Sequence, residues 1–201
     1  MNTVKRRSPV SFLAPLLGGF ALLHSTSAFA GPATDLVKDK QSAIFQILQS
    51  GTPDEKKIGS IFDEMLDYSA LAQASLGEQW GTLKPAQQAE FTGLLKQLVQ
   101  QAYERNLKKT LDFNIEYTKE EPAGSGATVF TKATSKADKR EDPIEISYAL
   151  EKSGAGFKII DIVTDDVSLV SSYRGQFVKT IKADGYDGLV RKMKDKISKG
   201  S

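Results

Sequence analysis

Residues 159–177, IIDIVTDDVSLVSSYRGQF, carry the change of period that decides the fold. In the first half, Phe157, Ile159 and Val163 share one face of an extended strand and Ile160 and Ile162 share the other, so protein is expected on both faces. That predicts a central strand. In the second half, Leu169, Val170, Tyr173, Phe177, Val178 and Ile181 recur at helical spacing, with Ser168 or Asp166 placed to cap the first turn. Asp161 interrupts the strand and Arg174 lies on the flank of the helix. A buried carboxylate needs a partner or several donors, and the simplest expectation is an ion pair between these two residues that fixes helix on sheet.

Working back from this stretch, the period is two. Ile144, Ile146, Tyr148 and Leu150 alternate with polar residues, as do Ala127, Val129 and Thr131, and before them Phe113, Ile115 and Tyr117. Short turns, Pro122 to Gly126 and Ser153 to Gly156, separate these runs, while 136–142 reads as a solvated tip. Four consecutive strands so joined imply a curved antiparallel meander. Further upstream the period is helical. Phe91, Leu94, Leu95, Leu98, Val99, Ala102, Tyr103 and Leu107 form one stripe of a helix from Pro85 to Lys109. A helix over 34–49 ends at Gly51. Thr52-Pro53-Asp54-Glu55 reads as a capping box before a helix with Ile58, Ile61, Phe62, Met65 and Leu66 on one side. A short helix over 67–76 stops at Gly77, and Trp80 is expected as a packing anchor under the next turn. Downstream, Asp184-Gly185 breaks the chain before a last helix carrying Leu189, Val190, Met193 and Ile197.

At the other end, Lys5, Arg6 and Arg7 precede an apolar run from Val10 to Leu23, then Ala28-Phe29-Ala30. This reads as a secretory signal peptide cleaved after Ala30, by the general or the twin-arginine route. The expected division is a leader over 1–30 and one α+β domain over 31–201: mainly helical over 31–110, sheet over 111–165, helices over 166–199. Taking 30 residues from 201 leaves 171, enough for a substantial core. The charge count of 27 basic against 25 acidic becomes 24 against 25, so the processed chain is near neutral and offers no case for a polyanion partner.

The single histidine, His24, lies in the leader, and the chain has no cysteine. The processed chain therefore lacks the residues for Ser-His-Asp or Cys-His nucleophilic sites, for thiolate or imidazole zinc sites and for disulfides. Carboxylate pairs, a lysine nucleophile and oxygen-ligand metal sites survive that exclusion, but no phosphate-binding loop, dinucleotide turn or calcium loop is present. Taken alone, the residues describe a soluble exported α+β domain, with no metal or cofactor expected and a ligand pocket left open.

The run Asp161-Ile162, Val167-Ser168-Leu169-Val170, Tyr173-Arg174 and Gln176-Phe177 resembles the signature of the MlaC family, periplasmic phospholipid carriers also known as toluene-tolerance proteins. Upstream, Asp67-Tyr68, Leu76-Gly77, Trp80 and the helix start from Pro85 to Glu90-Phe91 are similar to the family pattern, and so are Gly185, Gly188 and Leu189 downstream. Asp166 stands where the family usually has glycine, Ser172 where asparagine is common and Phe157 where tryptophan is frequent.

The resemblance implies a fold related to the nuclear transport factor 2 (NTF2-like) class: a curved four-stranded antiparallel sheet packed with N-terminal and C-terminal helices around an apolar cavity. It also implies a non-enzymatic, monomeric carrier moving phospholipid between an outer-membrane lipoprotein complex and an inner-membrane ABC transporter with an MCE-domain ring. At about 0.8 kcal/mol per methylene, one 16-carbon tail left in water costs on the order of 12 kcal/mol, so such a carrier must enclose its tails. The lining residues expected on this basis are Phe62, Met65, Leu66, Phe91, Leu94, Leu95, Leu98, Tyr103, Ile146, Tyr148, Ile160, Ile162, Leu169, Tyr173 and Phe177, with Arg174 as a head-group contact. A plain packed core uses the same residue types. Two other classes stay open: an adapter of the same shape that binds protein or dimerises without lipid, and an oxygen-site or carboxylate enzyme.

Overall fold

The structure is a computed structural model that describes residues 31–50, 54–138 and 140–200, with backbone alone at 104–108. The expected leader over 1–30, Gly51, Thr52, Pro53 and the side chain of Leu107 lie outside the described residues. The chain is α+β, with five α-helices and one open antiparallel sheet among the described residues.

Helix α1 spans Pro32–Gln49, with proline at its first positions and Gly31 as N-cap. Gly31 has no side chain to cap with, and the acceptor comes from the sheet. Glu120 Oε2 accepts from both the backbone N–H and the hydroxyl of Thr34, each at 2.7 Å. A Cβ at position 31 would lie 2.1 Å from Glu120 Oε1, so a larger residue there would push the carboxylate aside. Helix α2, Glu55–Met65, is capped by Asp54, whose carboxylate accepts from Lys57 N at 3.1 Å. The cap is thus two residues later than the one expected at Thr52. Asp67 caps α3, Tyr68–Leu76, through Ala70 N at 2.9 Å, and Gly77, with φ 55°, ends it. A 3-10 helix over Gly77–Thr82 carries Trp80, whose ring meets Phe91 edge-on at 6.5 Å, as an anchor should. Helix α4 spans Pro85–Thr110 and α5 spans Leu169–Ser198, kinked at Gly185 with φ 71°.

The sheet runs in sequence order: β1 Phe113–Ala123, β2 Gly126–Ser135, β3 Ile144–Ser153, β4 Gly156–Thr164 and β5 Val167–Ser168. There are five strands where four were expected, because the cap of α5 first pairs as a short strand. β5 meets only Val163 and Thr164, across a turn in which Asp165 and Asp166 have φ of 45° and 63°. β4 is therefore next to the edge and not central. Part of its outer edge is closed by a parallel bridge from Leu66 to Ile159 and by Asp67 N, which donates to Ile159 O at 2.9 Å.

The faces of β4 also differ from simple alternation. Ile159 pairs with Leu150 and Asp161 with Ala149, so Ile160 is an extra residue in a bulge. The bulge resets the phase and brings Ile162, opposite Tyr148, onto the buried face with Ile159. Ile160 and Val163 are only half-buried, so the second face of this strand is not sealed.

The Asp161–Arg174 ion pair does not form. Asp161 Oδ1 accepts from Ile162 N at 2.8 Å and Val170 N at 3.1 Å, and Oδ2 accepts from Ser168 Oγ at 2.6 Å. Ser168 in turn accepts from Ser171 N as the N-cap of α5. The carboxylate is satisfied by the donors of a helix start, so it needs no cation. Arg174 turns to α3, donating through Nε and Nη2 to Ala74 O at 2.9 and 2.7 Å.

Candidate functional site

Between the helices and the sheet lie two adjoining cavities. The outer, of about 350 Å³, is walled by Ala102, Tyr103 and Thr110 of α4, Ile162 and Thr164 of β4, Val167 of β5, and Leu169 and Ser172 of α5. It opens where Val167, 61% exposed, stands on the surface. The inner, of about 150 Å³, is walled by Gln41, Ile44 and Phe45 of α1, Phe62 and Met65 of α2, Leu66, Ile115 of β1, and Ile146 and Tyr148 of β3. Tyr103, Thr110, Ile162 and Thr164 belong to both walls, so the two spaces abut across these four residues.

The sequence explains why a space is left there. The sheet carries one bulge in β4 and a second in β1, between Tyr117 and Lys119, and a bulge bends and twists its strand. Apolar stripes of α1, α2 and α4 then face a concave surface that they do not fill. The walls are almost wholly aliphatic or aromatic. Besides the hydroxyls of Thr110, Thr164 and Ser172, the polar group of the walls is Gln41, where Tyr117 Oη donates to Gln41 Oε1 at 2.5 Å and Gln41 Nε2 donates to Tyr148 Oη at 2.6 Å. Burial pushes the Tyr148 phenol up to about 12, against hydrogen bonds to Gln41 and Thr131 that pull it down. Burial likewise raises Tyr103 and Tyr117. These phenols stay neutral at ordinary pH.

Of the residues expected to line a cavity, Phe62, Met65, Leu66, Tyr103, Ile146, Tyr148, Ile162 and Leu169 stand in these walls. Phe91, Leu94, Leu95, Leu98 and Phe177 are buried in the core outside them, where Phe177 packs between Phe91 at 5.3 Å and the stacked ring of Tyr173 at 5.2 Å. Ile160 sits in the bulge, and Arg174 is held on Ala74, both outside the two walls. Sequence reasoning missed the contribution of α1. Its signal is Gln41, a polar residue in the same helical stripe as Ile44, Phe45 and Leu48.

Elsewhere, a polar depression of about 370 Å³ involves Asp63, Asp67, Lys96 and Lys158. Within it Lys96 Nζ pairs with Asp63 Oδ2 at 2.6 Å, Lys158 Nζ donates to the Asp63 carbonyl at 3.2 Å and Asp67 caps α3. Among the described residues, no group of three or more His, Cys, Asp or Glu side chains is gathered to hold a metal ion, and no helix is long and apolar enough to cross a membrane.

An antiparallel meander with helices over an apolar, solvent-connected interior defines a binding fold built to enclose a hydrophobic molecule. The chain matches the MlaC protein family over residues 36–195, and it belongs to that family. Among solved structures it is similar to the phospholipid-binding protein from Ralstonia solanacearum, determined in complex with a phospholipid. The two are 22% identical with a TM-score of 0.70, covering 84% of this chain and 96% of that one. No curated protein sequence matches the chain.

Proposed function

We propose that this protein binds phospholipid, tails in the two chambers and head group at the mouth beside Val167 and Ser172, and carries it through the periplasm between an outer-membrane lipoprotein complex and an inner-membrane ABC transporter with an MCE-domain ring. The observation that carries the binding step is the pair of adjoining apolar chambers with a solvent opening. Membership of the MlaC family and a phospholipid-bound structural relative support it. The leader-like residues 1–30 support export. The role we infer is carriage without chemistry, which membership of the MlaC family supports. A hollow interior also speaks against an adapter that needs no ligand.

The test is mass spectrometry of the gently purified protein. Phospholipid should copurify, and delipidated protein should take up lipid from vesicles. Protein free of lipid after both treatments would remove the proposal.

A further inference from the structure

Tyr103 is the largest of the four residues that both chambers share. It projects from α4 beside Ala102, which walls the outer chamber alone, and its ring rests on Phe62 of the inner chamber at 4.9 Å between centroids, tilted by 40°. It is enclosed by protein yet faces open space on two sides. Its hydroxyl makes no hydrogen bond to any described residue, whereas those of Tyr117 and Tyr148 are tied to Gln41.

We infer that Tyr103 is the partition that sets how much of an acyl chain this protein keeps dry. The inference rests on the lipid-binding role proposed above and assigns chain-length selection within it. A chain that stops at the ring occupies only the outer chamber. One that passes it gains the inner chamber, walled by Ile44, Phe45, Met65 and Ile115. Each methylene moved from water into these walls changes affinity by about fourfold. The depth at which the ring stops the chain therefore selects between lipids that differ only in tail length. Phe62 packs on the ring, and Ile162 and Thr110 line both chambers with it, so the phenol is positioned by packing.

The test compares wild type with Tyr103→Ala, Tyr103→Trp and Ile115→Trp. Each protein is loaded from vesicles holding equal amounts of phosphatidylethanolamine with dimyristoyl, dipalmitoyl and distearoyl chains. Bound lipid is then read by native mass spectrometry, and folding is checked by circular dichroism. Tyr103→Ala joins the chambers and should enrich the longest chains by severalfold over wild type. Tyr103→Trp should enrich the shortest. Ile115→Trp fills the inner chamber from the opposite wall without touching the partition and should also favour short chains, which keeps the test decisive if a Tyr103 variant fails to fold. The same chain profile in wild type and in the folded variants would overturn the inference while leaving lipid binding intact. Absence of lipid from wild type would instead overturn the function on which it rests.

Discussion

The carboxylate of Asp161 and the hydroxyl of Ser168, 2.6 Å apart, join the last long strand to the helix that follows it. The same carboxylate takes the N–H of Val170, in the first turn of α5, so one side chain fixes where the helix starts and how it leaves the sheet. Leu169 and Ser172, at the wall of the outer chamber, are placed by that junction.

Asp161→Ala should cost about 2–3 kcal/mol in unfolding free energy, since hydrogen bonds to a charged group are lost and donors are stranded. Ser168→Ala should cost about 1 kcal/mol as a lost N-cap. Because the two share a bond, the double variant should lose less than the separate losses combined, measured by urea unfolding.

Ile162 and Phe177 separate wall from core. Ile162→Glu puts a carboxylate at the meeting of the two chambers and should reduce copurifying lipid several-fold in a protein that still folds. Phe177→Ala opens a hole between Phe91 and Tyr173, outside the walls, and should cost about 3–5 kcal/mol of stability. Phe177→Leu should be milder and keep its lipid. Lipid counts by mass spectrometry, set beside thermal melts, check both.

Alkali should unfold the protein through its buried phenols. A tyrosine in the unfolded chain ionises near 10, whereas burial holds Tyr148 up to about 12. The folded state therefore binds this proton more tightly. The stability so gained is complete below about pH 10 and is lost as pH rises toward 12. Tyrosinate absorbance should rise in step with loss of circular dichroism in that window, and Tyr148→Phe should shallow the decline.

The β4–β5 turn holds two aspartates in the left-handed region. Asp165 has a return, since its carboxylate accepts from Glu145 N at 3.0 Å. Asp166 has no such bond among the described residues. Asp166→Gly should raise stability by about 0.5 kcal/mol, the relief of left-handed strain exceeding the entropy cost of glycine. Asp165→Gly should lower it. Thermal denaturation of the pair decides.

Much of this fold is legible in the sequence. The period changes locate the helices and the long strands, and Asp67, Ser168, Gly77 and Gly185 mark their ends by residue type alone. The bulge is not legible. In Ile159-Ile160-Asp161-Ile162 every residue but one is apolar, so the pattern cannot reveal the change of phase. Nor can two residues such as Val167-Ser168 announce a strand when they also read as a helix cap. The limit at the site is of another kind. Phe91 and Leu95 pack solid while Ile44 and Phe45 border a space, and these side chains have the same chemistry. The difference lies in how far the sheet bends, which depends on pairing between distant residues.

Strand pairing in strict chain order also bears on how the molecule assembles. Every strand finds its partner a hairpin away, which favours rapid closure of the sheet. Helix α1 is tethered instead by contacts spanning 86 residues, Thr34 to Glu120, and 107 residues, Gln41 to Tyr148. Pulse-labelled hydrogen exchange should find β2 and β3 protected before α1. The first of the described helices is then the last to dock, and the back room behind Tyr103 acquires its final wall only as folding ends.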